Sequence, residues 1–316
     1  MDTKKVLVCG ATGFIGRNTT EKLAQRPDLE VYGTYNNRPR YDNDNVNWVK
    51  ADLTNKEDVN NVCKGMDVVI QMAASTTGVK DSINAPHIHL ADNAIMNTLL
   101  LRSAYDNNVG QFIFPSCTVV YPSSDQLIKE TDFTGEIHPK YFGGAWMKIY
   151  AEKTAEFYAG LGKTKHTVFR HSNVYGPYDK YDLEKSHVFG ATIAKIMTAK
   201  DNDKIVVWGK GLEERDLLHV DDLVSFMQTA IDTQSTPYEL VNVGLGESIS
   251  VDGLVKKVIK HSNKSLDIEY DETKPNVMTK VALDCSKAKQ VFGWTPKITL
   301  DEGIKKTIKW YEENLL

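Results

Sequence analysis

Short apolar segments of strand character alternate with amphipathic segments of helix character through the first half of the chain. The series runs KKVLVCG, RNTTEKLAQR, EVYGTY, EDVNNVCKG, DVVIQMAA, NAIMNTLLLRSAYDNN, QFIFPS, WMKIYAEKTAEFYAGLG and HTVFRHS. This alternation leaves few folds open. Each strand–helix–strand unit crosses over right-handed and brings the second strand in parallel to the first, so the chain builds a parallel sheet covered on both faces. Ligands on such sheets bind at the carboxyl ends of the strands. From YGPYDKYDLEKSH onward the rhythm breaks into loops and short strands such as KIVVWG, which predicts a smaller, less regular second lobe. LLHVDDLVSFMQTAI reads as a strand and helix returning to the first lobe. The division expected is 1–172 for the first lobe, completed by 216–246, and 173–316 for the second. The fold class is α/β, a doubly wound parallel sheet with a smaller C-terminal α/β lobe.

Charge and cysteine usage exclude several functions. With 38 Lys and Arg against 42 Asp and Glu the net charge is −4. There is no basic block, so neither nucleic acid nor an anionic membrane is an expected partner. The apolar runs are far shorter than a membrane span. MDTKKVLVCGATG enters a strand at once and leaves no room for a signal peptide. Cys9, Cys63, Cys117 and Cys285 are scattered without a CxxC spacing, which predicts no metal site and no disulfide framework. The expectation is a reduced, cytoplasmic protein.

The strongest motif is VLVCGATGFIG. Gly10, Gly13 and Gly16 follow the first strand and open a helix within a βαβ unit, the context in which a glycine triplet signals a Rossmann dinucleotide site. Gly10 makes the tight turn, Gly13 lets the backbone approach a pyrophosphate, and Gly16 lets the helix pack on the sheet. Thr12, Phe14 and Ile15 complete this cofactor-binding turn. The second strand ends GTYNNRPR, without the acid that would accept from an NAD ribose hydroxyl. Arg38, with help from Arg17, is placed to pair with a 2′-phosphate, so the cofactor is NADP or NAD, with the preference for NADP. Asp52 and Leu53 of ADLTN are expected to flank the adenine. Ala73 and Ala74 of QMAAS are small enough to let the cofactor backbone pass.

GATGFIG, ADL, MAA, the helix carrying Lys148, RHSNVYGP, RDLLHVDDL and FGWTP occur in order over nearly the whole chain. In these motifs the sequence resembles the extended short-chain dehydrogenase/reductase family, in its nucleotide-sugar epimerase and dehydratase branch. YGPYDKYDLEKSHV and VVWGKGLEERD look most like the GDP-fucose synthase type, which acts on GDP-4-keto-6-deoxy sugars. The resemblance implies that Lys148 holds the nicotinamide ribose and lowers a neighbouring acid's pKa. It implies that Asn173 donates to the sugar-nucleotide diphosphate and that Arg215 clamps a phosphate. Trp208 would lie near the sugar or nucleotide, and His187 matches a proton-transfer histidine. It also implies a homodimer, in which AIMNTLLLRSAYDNN and MKIYAEKTAEFYAGL form a four-helix contact; their apolar residues could equally be buried within the subunit.

Two positions depart from the family pattern. The family's proton-transfer tyrosine stands four residues before the lysine, one helical turn away on the same face. Family members often read FGYGWAK here; this chain reads FGGAWMK, so the tyrosine position is Gly144. Aligning FPSCTVVYP on Tyr121 puts Cys117 at the usual serine or threonine, flanked by Ser116 and Thr118, and a thiol is a poor donor. The cysteine that assists 3,5-epimerisation in the fucose synthase type falls at Val119, which argues against a double epimerisation. Three readings of the missing tyrosine stay open. Another acid does the work, as in a dehydratase; or His187, Thr118 or a water beside Gly144 moves the proton during hydride transfer; or the chain is a non-catalytic nucleotide-sugar binder. The second is the expectation, with Lys148, Cys117, Thr118 and His187 as the catalytic set.

Overall fold

A computed structural model describes residues 3–75, 87–183, 186–274 and 278–316. Its strands are β1 Lys4–Cys9, β2 Leu29–Tyr35, β3 Val46–Lys50, β4 Val68–Gln71, β5 Gln111–Cys117, β6 Lys165–His171, β7 Asn173–Tyr175, β8 Lys204–Trp208, β9 Glu214–His219, β10 Tyr238–Val243, β11 Ser248–Ser250, β12 Asp267–Asp271 and β13 Lys280–Val281. Its helices are α1 Phe14–Leu23, α2 Lys56–Cys63, α3 Ile88–Asp106, α4 Phe142–Gly160, α5 Val188–Thr198, α6 Val220–Thr233, α7 Val251–Ser262, α8 Ser286–Phe292 and α9 Leu300–Leu315.

Seven strands form one parallel sheet in the order β3-β2-β1-β4-β5-β6-β10. Because successive strand residues point to opposite faces, Val6 and Val8 enter one core with Phe169, Leu223 and Phe226. Leu7 and Cys9 enter the other, with Leu100, Phe112, Phe114, Ala151 and Ala155. Both faces are dry, which is why these strands read as continuous apolar runs. A third cluster, including Tyr175, Phe189, Ile193, Leu254 and Ile304, lies beneath the later strands and helices. The strand order reverses beside β1, between β2 and β4. Such a switch point opens a crevice at the carboxyl edge of the sheet.

Two readings change. VNWVK forms the edge strand β3, reached from β2 by a loop with no helix; with only Val46 buried, its pattern is too weak to read. RDLLH does not return to the large sheet. It forms β9, which pairs with β7, β11 and β13 in a small sheet. The helix that follows, α6, does pack into the first core, and the strand that extends the large sheet is β10, beside β6.

Candidate active site

The glycine turn is built by two close approaches. Gly10 has φ +70°, and a Cβ there would lie 2.6 Å from Ala73 Cα. A Cβ on Gly16 would collide with the Gly10 carbonyl oxygen. Gly13 differs: its φ of −78° suits any residue, and an added Cβ would meet within the protein only Gly10 O, at 3.3 Å. The space it leaves opens outward, over a helix start with no side-chain cap and no acid in the first turn. Uncapped N–H groups and the helix dipole attract an anion there. The residues therefore fit a dinucleotide pyrophosphate. Phe14 and Ile15 pack under the turn. Arg38 donates from Nη1 to the Thr12 carbonyl at 2.9 Å, which brings its guanidinium to the turn. Arg17 lies between the rings of Tyr41 and Tyr178, 4.2 and 3.8 Å from their centroids. Both arginines line a cleft of about 550 Å³ with Thr12, Gly13, Tyr41 and Tyr178. Asp52 accepts from Thr54 N and Oγ1 at 2.9 and 2.7 Å, which lowers its pKa. Leu53 is buried in the core, while Ala74 is exposed.

The carboxyl ends of β5 and β6 carry a second cluster. Lys148, half-buried on α4, donates from Nζ to the Pro115 carbonyl of β5 at 2.6 Å and sits 4.9 Å from the Phe114 ring centre. Burial lowers its pKa, and nearby Cys117 and Glu152 oppose that shift. Burial raises the pKa of the Cys117 thiol, against the pull of Lys148, so the thiol is neutral. Thr118 follows it in a short 3-10 turn. Cys117 is in parallel register with His171 at the end of β6. His171 is half-buried, with Nδ1 2.7 Å from the Ser172 carbonyl oxygen. Its pKa is held near 4, first by burial and then by Lys148 and His187. His187 is exposed at the N-cap of α5; the surrounding protein first, and Lys180 second, lower its pKa. The structure thus brings Lys148 and Cys117 to the strand ends beside a histidine that motif reading passed over, while His187 stands on the start of α5. RHSNVYGP contains His171, but only the pairing of β6 with β5 reveals its neighbour.

An ion pair fixes α4 over these strands. Arg170 donates from Nε and Nη2 to the Glu152 carboxylate at 3.0 and 2.7 Å, and from Nη1 to Tyr121 Oη at 3.0 Å. Both charged side chains are 3% exposed. Glu152 lies one turn beyond Lys148, so the pair sets the height of the lysine above the sheet. One turn before Lys148 stands Gly144. It is exposed, and an added Cβ there would meet nothing within 4 Å. The ring of Tyr141, the nearest upstream tyrosine, lies against His138 and Lys140.

The residues assigned to the sugar nucleotide lie on the later strands. Asn173 begins β7 in register with Leu217 of β9. Arg215, on β9, is half-buried. Among the described residues all its hydrogen bonds run from Nη1, to Glu214 O and to Thr279 O and Oγ1. Trp208 ends β8, half exposed, with Lys274 Nζ 6.0 Å from its ring centre.

A parallel sheet in this order, with a glycine turn at its switch point, defines a dinucleotide-binding protein of Rossmann type. Residues 6–244 match the NAD dependent epimerase/dehydratase family, and the chain belongs to that family. A nicotinamide dinucleotide is accordingly its cofactor. GDP-L-fucose synthase 1 of Arabidopsis thaliana is 30% identical over 98% of this chain and 94% of that relative. GDP-L-colitose synthase of Yersinia pseudotuberculosis is 27% identical over 97% of each chain. The solved UDP-glucose 4-epimerase of Thermotoga maritima superposes with a TM-score of 0.87 at 25% identity, over 99% of this chain and 100% of that one. No helix among the described residues is long and apolar enough to cross a membrane.

Proposed function

We propose that the protein is an NAD(P)-dependent oxidoreductase acting at a ring carbon, C4, of a GDP-linked hexose or heptose. The observation that carries this reading is the juxtaposition at one sheet edge: an open anion cradle at Gly13 and, at the ends of β5 and β6, Lys148 with Cys117 and His171. The likeness to GDP-L-fucose and GDP-L-colitose synthases supports a GDP-sugar. The nicotinamide ring supplies or accepts the hydride when bound. Lys148 positions the ribose, Arg38 favours the NADP 2′-phosphate, and Asn173, Arg215 and Trp208 hold the sugar nucleotide. The proton leaves through the open space beside Gly144, with Thr118 or His187 within the relay. An epimerase that oxidises and re-reduces one carbon uses the same groups.

The lobe division proposed is 1–172 with 216–246 against 173–316. It is supported by β10 and α6 in the large sheet and its core and by the third core cluster in the rest. A homodimer is proposed through α3 and α4, on which Ile95, Trp146, Tyr150 and Phe157 are exposed. The four free cysteines, two of them buried, are compatible with a reducing cytoplasm.

The test is single-turnover nicotinamide absorbance with GDP-sugars. The expected result is hydride transfer with at least one GDP-sugar, and its loss in Lys148→Met. Tight binding of both ligands without hydride transfer across a broad sugar-nucleotide panel would establish a sensor instead. Arg215→Met should weaken GDP-sugar several-fold and NADPH hardly at all.

A further inference from the structure

We propose that the group exchanging the substrate proton is His171, through Nε2. The proposal rests on the reading just given, that hydride chemistry occurs at this sheet edge, and adds the residue that stands in for the missing tyrosine.

The first support is the register. Cys117 and His171 are partners on adjacent parallel strands, about 4.8 Å apart. Partners in register project to the same face of a sheet. Cys117 occupies the position of the family's serine or threonine. His171 therefore enters the reacting position from one strand over, and no gap in the α4 sequence is needed to explain it. Lys148 on α4 is near enough to act on it electrostatically, and the Lys148 ammonium is itself tied to β5 by its bond to the Pro115 carbonyl.

The second support is the hydrogen bond at Nδ1. A carbonyl oxygen only accepts, so the 2.7 Å contact with Ser172 O places the hydrogen on Nδ1. In the neutral ring this leaves Nε2 as a lone-pair base. A base oriented through its other nitrogen is the usual construction of a general base. His187 has no such fixing bond in its capping position. Burial first, and the charge of Lys148 after it, keep His171 neutral in the free protein; the negative diphosphate of a sugar nucleotide would oppose the lysine's field and raise the ring's affinity for the proton.

The step balances. In oxidation the sugar O–H bond breaks and its proton passes to Nε2, while the carbon's hydride, with its electron pair, goes to the oxidised nicotinamide and C=O forms. In reduction the imidazolium returns the proton to the oxygen as hydride arrives at carbon. After oxidation the imidazolium releases its proton to solvent.

His171→Gln and His171→Asn test this, each checked for native circular dichroism. Where wild type transfers hydride with a GDP-sugar, both variants should bind NADPH and that sugar within about twofold of wild type. Their hydride transfer should fall about 10²–10⁴-fold, with partial recovery in His171→Ala on adding imidazole. Independently of activity, ¹⁵N NMR of the ligand-free protein should show the neutral Nδ1–H tautomer of His171 at pH 7. GDP-sugar should then shift Nε2. An Nε2–H tautomer, an unchanged rate in both variants, or parallel loss of NADPH binding would overturn the proposal while leaving the hydride reading intact. Absence of hydride transfer by wild type across the sugar panel would overturn both.

Discussion

At the amino edge of the large sheet, Gln111 donates from Nε2 to Thr167 Oγ1 at 2.9 Å and to the Ala230 carbonyl at 3.0 Å, and Gln234 closes the gap to His166 O and Thr236 O. At the carboxyl edge, Lys148, Cys117 and His171 are only half-buried, and the Gly13 cradle opens outward. Both edges hold histidines of β6 whose pKa lies near 4. His166 is fully buried with both ring nitrogens unpartnered; His171 is half-buried, with Nδ1 fixed on the Ser172 carbonyl. The same residue type on the same strand is a sealed polar group at one end and a proton carrier at the other. What separates them is access and a hydrogen-bond partner, since burial lowers the pKa of both.

If the carboxyl edge is held in place from the α4 side, its anchor should carry the largest effect. Glu152→Leu leaves the Arg170 guanidinium buried without its carboxylate, and breaking such a pair costs about 3–5 kcal/mol. Urea unfolding should show that loss. A change below about 1 kcal/mol would mean that α4 is held by its apolar contacts alone.

The sealed end is broken by acid. The folded pKa of His166 is near 4 against an ordinary 6.5, so the unfolded chain takes up the proton first as pH falls. Its contribution is complete above about pH 6.5 and is lost progressively towards pH 4, about 3 kcal/mol in all. Between pH 7 and 5 wild type should lose about 2 kcal/mol more than His166→Phe. Equal losses would show that water reaches the amino edge.

Within the glycine turn the comparison sharpens to one atom. Gly16→Ala forces a methyl against the Gly10 carbonyl and should cost about 1–3 kcal/mol. Gly13→Ala should change stability by less than about 0.5 kcal/mol yet weaken NADPH, since its methyl enters the cradle. Calorimetry and unfolding of the two variants separate the glycine the fold requires from the one the ligand requires.

Much of this was legible in the sequence because it is local. The short apolar runs alternating with helical segments led to the parallel sheet, the glycine spacing after β1 to the turn, and the unbroken FGGAWMK register to Lys148 and Gly144. What was not legible depends on which strands become neighbours. The pairing of Cys117 with His171 is set 54 positions apart by the β5–β6 register, and the Arg170–Glu152 pair by the seating of α4 on β6. β10 joins the large sheet only after the chain has passed through β7, β8 and β9, which pair elsewhere, and β3 carries too little burial to leave a pattern. Among the site residues, the missed one was neither rare nor hidden; RHSNVYGP shows a histidine, but no motif gives it a neighbour.

The one expected gain in stability lies at Gly144. Gly10 and Gly16 are held by contacts, but a Cβ at Gly144 meets nothing within 4 Å. Glycine inside a helix costs about 0.5–1 kcal/mol relative to alanine, so Gly144→Ala should stabilise the protein by that amount. For a chain of this length that corresponds to a rise in Tm of about 1–1.5 °C. The same methyl that damages the turn at Gly16 should help the helix here. No gain in Tm would mean that the first turn of α4 is not formed in solution, and that the open space beside Lys148 is wider than the helix allows. If the gain is seen, Gly144→Tyr has room at its first carbon and places a phenol one turn from Lys148. Combined with His171→Gln it should recover part of the lost hydride transfer. No recovery, with NADPH and GDP-sugar still bound, would show that the sugar is seated for the β6 edge and beyond reach of the helix.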